Sequence, residues 1–133
     1  IPDSPDVDVD QFIMDETRKY NAQFVPDDHK ALSVYCRDKE GKVVGGLTGK
    51  TYWNYLDIGF LWVDEQNRNN SLAAEIMKLA EDEAKRRGCT YSMLDTFEFQ
   101  ALGFYLKQGY EQFGKLEGYC ERFERYYLRK KIS

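Results

Sequence analysis

Residues 61–88 read LWVDEQNRNNSLAAEIMKLAEDEAKRRG. An apolar run, Ile58 to Val63, leads in and is rich in β-branched and aromatic residues, as a strand requires. A polar turn follows from Asp64 to Asn70. Beyond it Leu72, Ile76, Leu79, Ala80 and Ala84 recur at spacings of three and four, which predicts one apolar helix face. Glu75, Lys78, Asp82, Lys85 and Arg86 fill the opposite face. Lys85, Arg86 and Arg87 sit in the last turn, where cations suit the negative helix end, and Gly88 is placed to cap it. The unit is strand, tight turn, helix. Such a turn aims free backbone N–H groups and a positive helix terminus at one point, a geometry suited to a phosphate. Most strand–turn–helix units do nothing chemical, so the turn's own residues have to decide.

Working outward, Ile1 to Asp10 carries Pro2, Pro5 and four aspartates and reads as an extended lead-in. Val9, Phe12, Ile13 and Tyr20 predict a helix over Val9 to Phe24. Pro26 to His29 is a polar loop, so His29, the only histidine, is expected in solvent. Ala31 to Arg37 alternates as a half-buried strand, turns at Asp38 to Lys42, and pairs with Val43 to Thr51 in a hairpin. Gly45, Gly46 and Gly49 in the returning strand signal a bulge or a close approach by another backbone or a ligand. An aromatic loop, Tyr52 to Tyr55, precedes the strand that ends at Val63. After Gly88, Cys89 to Phe97 is a strand, Gln100 to Gln108 a short helix closed by Gly109, and Tyr110–Leu116 and Arg122–Lys130 two further strands. No repeat or linker divides the chain, so residues 1–133 form one domain. Helix, three antiparallel strands, helix, strand, helix and two strands make an α+β layer fold: a mixed, mostly antiparallel central sheet flanked by helices.

Composition bounds the function. The chain has 133 residues, 42% hydrophobic and 32% charged, as in a soluble globular protein. A net charge of −4 lacks the basic face that nucleic-acid binding needs. No apolar run approaches the ~20 residues of a membrane span. Three widely spaced cysteines, Cys36, Cys89 and Cys120, suit buried reduced thiols in a cytoplasm better than disulfides or a metal site.

Two motifs then point to one family. Arg68-Asn69-Asn70-Ser71-Leu72-Ala73 resembles the pyrophosphate loop of the GNAT (general-control-related N-acetyltransferase) superfamily, an Arg or Gln followed by x-x-Gly-x-Gly/Ala at a helix start. Arg68 and Ala73 match; Ser71 stands where the family usually has Gly, and Asn69 where a further Gly is common. Glu98 to Tyr110 resembles the family's Asn-x-x-Ala-x-x-x-Tyr-x-x-x-Gly-Phe: Ala101, Tyr105 and Gly109 match, Tyr110 replaces Phe, and Glu98 replaces Asn. Gly49-Lys50-Thr51-Tyr52-Trp53 and Leu94-Asp95-Thr96-Phe97 are similar to segments of a small bacterial GNAT subfamily. The order of elements matches the GNAT fold from its first helix onward. The fold's first strand would precede Ile1, which points to truncation or processing.

The resemblance implies acetyl transfer from acetyl-CoA, as cosubstrate, to an amine. The pyrophosphate is then expected at the backbone of Asn69, Asn70, Ser71, Leu72 and Ala73 with Arg68 beside it. The thioester carbonyl is expected at the backbone of Leu61, Trp62 and Val63, and Tyr105 occupies the family's position for protonating the leaving thiolate. A tyrosine, with reference pKa ~10, can donate at neutral pH. The base is less determined. Asp57 and Asp95 lie on neighbouring strands and Glu98 follows the second; each could act as base, bind a cationic amine, or simply be a solvated strand-end carboxylate. Tyr52, Trp53, Tyr55 and Trp62 could wall a pocket or fill the core. The expected protein is a cytoplasmic N-acetyltransferase for a small-molecule amine, with no nucleic-acid or membrane partner. A homodimer is left open. The alternatives are a non-catalytic CoA-binding or dimerising module, or a peptide or protein N-acetyltransferase.

Overall fold

The computed structural model describes residues 1–68 and 70–133. The chain runs α1 (Val7–Asn21), β1 (Lys30–Arg37), β2 (Val43–Tyr52), β3 (Tyr55–Val63), α2 (Leu72–Arg86), β4 (Tyr91–Phe97), α3 (Leu102–Lys107), β5 (Glu111–Tyr119) and β6 (Phe123–Lys131), with a short 3-10 turn over Glu65–Asn67. The strands form one sheet in the order β1-β2-β3-β4-β6-β5. All neighbours are antiparallel except β3 and β4, so the sheet is mixed and mostly antiparallel, as expected. The first described element is a helix, not a strand.

One face of the sheet is covered. Leu32, Leu47, Leu56, Ile58, Leu94 and Leu128 alternate inward along their strands and meet Ile76, Met77, Ala80 and Ala84 of α2. Each of the leucine, isoleucine and methionine side chains removed from water contributes roughly 1.5–3 kcal/mol. Gly45 lets α2 come this close: a Cβ there would stand 3.2 Å from both Ile76 Cδ1 and the Trp62 carbonyl oxygen. At Gly49 the register slips by one residue, and a Cβ would lie 2.5 Å from the Asp57 carbonyl oxygen. These glycines thus meet both expectations, close approach and bulge.

The helix periodicity placed Leu79 on the buried face, but it is exposed, and Glu81 is buried in its stead. The face is rotated because Glu81 has partners beneath it. Its carboxylate accepts from Tyr110 Oη at 2.9 Å and from Lys130 Nζ at 2.8 Å, while Tyr110 Oη lies 2.7 Å from Ser92 Oγ. A buried carboxylate held by a cation and a hydroxyl ties α2 to β4 and β6. At the other end Arg87, just past α2, donates to the carbonyls of Lys30 and Ala31 and to Thr51 Oγ1.

Other expectations are corrected. His29 is half-buried, not solvated: its ring stacks on Tyr52 at 4.8 Å, and the loop before it is clamped where Trp53 donates Nε1–H to the Pro26 carbonyl and N–H to Asp28 Oδ1. A polar loop sequence could not show that an aromatic turn would cover it. Cys36 is half-buried and Cys120 is exposed; only Cys89 is the buried thiol expected. Helix α1 spans Val7–Asn21: it starts two residues before the expected Val9, because Asp6 caps it through the N–H groups of Asp8 and Val9, and it stops three residues short of the expected end.

Candidate functional site

Strands β3 and β4 pair only at their beginnings, Tyr55 with Tyr91, Leu56 with Ser92 and Asp57 with Met93. Beyond Asp57 and Met93 they part. Parallel neighbours normally stay hydrogen-bonded along their length, so this splay leaves the β4-facing N–H and C=O groups of Gly59 to Val63 without strand partners. Between the strands opens a cleft of about 570 Å³, lined among others by Leu61, Trp62, Val63, Arg68, Ala73 and Tyr105. A second hollow of about 350 Å³ continues it past Val63, Arg68 and Ala73 to Ser71 and Leu72. Leu61, Trp62 and Val63, expected at a thioester, and Arg68, Ser71, Leu72 and Ala73, expected at a pyrophosphate, therefore line one continuous trough.

The turn at the head of α2 has the backbone its sequence implies. Ser71 is left-handed, with φ of 68°, the conformation for which glycine is favoured. Its side chain caps nothing, and Asn70 Oδ1 accepts from Leu72 N–H at 3.3 Å in its place. The first hydrogen bond of the helix runs from Glu75 N–H to the Ser71 carbonyl, so the N–H groups of Ala73 and Ala74 have no helix partner. Arg68 turns back and donates Nε–H to the Val63 carbonyl at 3.1 Å, holding its guanidinium at the trough. Asn69, expected in the same cradle, lies outside the described residues.

Tyr105 is buried on α3, its ring edge-on to Phe104 at 5.2 Å and to Tyr110 at 6.1 Å. Burial, and then the charge of Asp95, raises its pKa above the ordinary 10.0, so the hydroxyl keeps its proton throughout the neutral range.

The three candidate carboxylates are not equivalent. Asp57 sits at the crotch of the splay, on the sheet face away from α2. Burial raises its pKa first of all; Lys50 across the register opposes that, and Asp95 adds to it. Asp95 is held in a two-point ion pair by Arg125, whose Nε and second terminal nitrogen lie 2.9 Å from its two oxygens. Arg125 is itself fenced by the rings of Phe97, Tyr119 and Tyr127. Glu98 Oε1 accepts from the Glu124 N–H at 2.9 Å, tying the end of β4 to β6. Of the aromatics, Trp62 lines the cleft, Tyr52 and Trp53 hold the loop before β1, and Tyr55 stacks on Tyr91 at 5.1 Å. The Arg125 clamp and the Glu81 network had no signal in the sequence, because they join residues from 18 to 49 positions apart.

A mixed sheet that splays between two parallel strands, with a helix N-terminus aimed into the gap, defines the fold of acyl-CoA-dependent N-acyltransferases. Comparison with known proteins agrees. The model of the acetyltransferase (GNAT) family matches residues 5–110, and the chain belongs to that family. It is 32% identical over 117 residues to acetyltransferase Atu2258 of Agrobacterium fabrum, covering 87% of this chain and 85% of that protein. It is also 32% identical over 104 residues to blasticidin-S acetyltransferase of Streptomyces morookaense, covering 77% of this chain and 76% of the relative. A crystal structure of a putative acetyltransferase from Agrobacterium tumefaciens superposes with a TM-score of 0.90 at 30% identity, over 98% of this chain and 96% of that one. The protein is an acetyltransferase of the GNAT family. No helix among the described residues is long and apolar enough to cross a membrane.

Proposed function

We propose that the chain transfers the acetyl group of acetyl-CoA to the amine of a small molecule, in the cytoplasm. The observation that carries this reading is the splay of β3 from β4 beyond Asp57, which puts unpaired backbone donors, a helix N-terminus and a protonated tyrosine along one trough. The pyrophosphate of the cosubstrate lies against the backbone of Asn70 to Ala73, with Arg68 beside it. The thioester carbonyl accepts from the free backbone of Leu61 to Val63, where negative charge develops as the amine attacks. The amine nitrogen bonds to the carbonyl carbon, the C–S bond breaks, and Tyr105 gives its proton to the departing thiolate. The proton lost by the amine goes to Asp57, whose burial suits it to accept one. Asp95, held in place by Arg125, lines the acceptor side of the cleft.

A small-molecule acceptor is supported by the relative whose name assigns it blasticidin S. A reducing compartment is supported by three free cysteines. Thiol release from acetyl-CoA, measured across polyamines, aminoglycosides, amino acids and peptides with mass analysis of the products, tests the proposal. Acetylated small amines are expected. Calorimetric CoA binding with no acetylation of any amine would mark a non-catalytic module, and activity confined to peptides would mark a protein acetyltransferase.

A further inference from the structure

The acceptor side of the cleft is walled by braced rings. Phe97, at the end of β4, and Phe99, just beyond it, stack at 5.4 Å with their planes 10° apart, and both line the cleft. Two more rings hold them: Tyr119 stands edge-on to Phe97 at 5.0 Å, and Phe123 edge-on to Phe99 at 4.9 Å. Tyr119 and Phe123 come from the two strands of the β5–β6 hairpin, which Glu98 ties to the end of β4. The turn between them is left-handed at Cys120 and Glu121, with φ of 50° and 61°, although neither is glycine. Strained backbone of this kind persists where its surroundings enforce it, and it gathers at functional sites. Phe104 of α3 and Trp62 of β3 line the same space.

The polar groups on this side are engaged by the protein itself. Asp95 gives both oxygens to Arg125, whose other terminal nitrogen donates to Tyr119 Oη at 3.1 Å. Thr96 Oγ1–H donates to Gln100 Oε1 at 3.3 Å, and the same oxygen accepts from the Phe97 N–H at 2.8 Å. Glu98 accepts from the Glu124 N–H. Of the three candidate carboxylates, Asp57 alone has no ion pair or hydrogen bond to its side chain among the described residues.

Ringed walls and engaged polar groups discriminate among amines. A polyamine brings several cations and an aminoglycoside many hydroxyls, and each such group needs a partner when it leaves water. One unpaired carboxylate cannot serve them. A flat unsaturated ring needs no such partner, and its edge or face fits against other rings at centroid distances of ~4.5–7 Å. We infer that the acceptor is an amine with a single cationic centre carried on an aromatic or heteroaromatic ring, the ring seated against Phe97 and Phe99 and the amine directed to Asp57. That identity rests on the proposed function, which makes the cleft the place of acetyl transfer. The ring seat itself is measured by binding, apart from turnover.

The test compares phenethylamine and tryptamine with cyclohexylethylamine, spermidine and kanamycin on the full chain. Cyclohexylethylamine matches phenethylamine in carbon count and charge, so the pair separates a flat ring from mere apolar bulk. A ring–ring contact is worth roughly 2- to 12-fold beyond its buried area, and two rings form the seat. Phenethylamine should therefore exceed cyclohexylethylamine in kcat/KM by at least about 4-fold, with spermidine and kanamycin below both. Phe99→Leu keeps the bulk and loses the ring, at a position 62% exposed. It should shrink the preference by roughly 2- to 12-fold, with CoA affinity and melting temperature held, and Phe99→Tyr should retain it. The same amines titrated calorimetrically into the CoA-bound protein read the seat without turnover. Preferential binding of the flat-ring amines, with no amine acetylated, would overturn the proposed function and uphold the seat. Equal use of the two matched amines, a preference for spermidine or kanamycin, or a preference indifferent to Phe99→Leu would overturn the seat while acetyl transfer stands. Binding of no amine at all would overturn both.

Discussion

Replacing Tyr105 by Phe removes one oxygen and leaves the ring where it packs. Its edge-on contacts with Phe104 and Tyr110 involve the ring alone and persist. Loss of stability should stay within about 1 kcal/mol, the ordinary worth of a hydroxyl hydrogen bond. The effect on rate is far larger if the hydroxyl protonates the thiolate. A positioned acid is worth ~10²–10⁴-fold, roughly 3–5 kcal/mol in the barrier. The two scales separate cleanly, so melting temperature and rate can be read against each other. The assay is single-turnover quench with enzyme in excess over acetyl-CoA and a saturating amine, which isolates the chemical step from product release. The chemical rate should fall at least 10²-fold, with CoA affinity and melting temperature held. Because burial and Asp95 push the Tyr105 pKa above 10.0, the wild-type acid form persists through neutral pH and is lost only as pH rises past that value. An unchanged single-turnover rate would refute the assignment. A rate loss matched by an equal loss of stability would show that the hydroxyl is structural.

Three further outcomes follow from the geometry. Ser71→Gly relieves a left-handed residue, worth ~1 kcal/mol, against ~0.4–1 kcal/mol of added unfolded-chain entropy, and loses no cap; urea midpoints should therefore hold or rise slightly. CoA affinity by calorimetry should likewise hold for Ser71→Gly and weaken roughly 2- to 30-fold for Ser71→Glu, which sets a negative charge at the helix start. Asp57→Asn should lower kcat/KM by ~10²–10⁴; since the base form is gained as pH rises through a pKa raised by burial, the rising limb of the pH–rate profile should vanish in the variant and persist in the wild type. Burial and Glu81 raise the Tyr110 pKa far above 10.0, so in alkali the unfolded chain releases its proton first and stability falls as pH climbs beyond about 10. Melting curves between neutrality and that range should show Tyr110→Phe with a lower starting value but a shallower alkaline decline.

Local chemistry made most of the fold legible. The strand–turn–helix over residues 58–88 could be read because apolar spacing, turn residues and a capping glycine all act within a few positions of one another. Gly45 and Gly49 announced close packing and a bulge for the same reason. The parts that escaped reading depend on distant partners. Leu79 and Glu81 exchange places because Tyr110 and Lys130 lie under one side of α2. His29 is covered by an aromatic turn more than twenty residues away. In the candidate site, periodicity could nominate Asp57, Asp95 and Glu98 alike, but only the sheet order shows that Arg125 occupies Asp95, that Glu98 ties two strands, and that Asp57 sits where β3 and β4 part. Helix α1 shows the converse: its stripe was plain in the sequence, yet none of its residues is buried.

The claim on which the rest depends is that the splay between β3 and β4 is where CoA binds. Amide hydrogen exchange of the full chain, with and without CoA, tests it at the backbone itself. The account predicts slowed exchange in Gly59 to Val63 and in Ala73 and Ala74, with β1 and β5 unchanged. Protection confined to other elements, or CoA bound with no slowing along β3 and the head of α2, would contradict it.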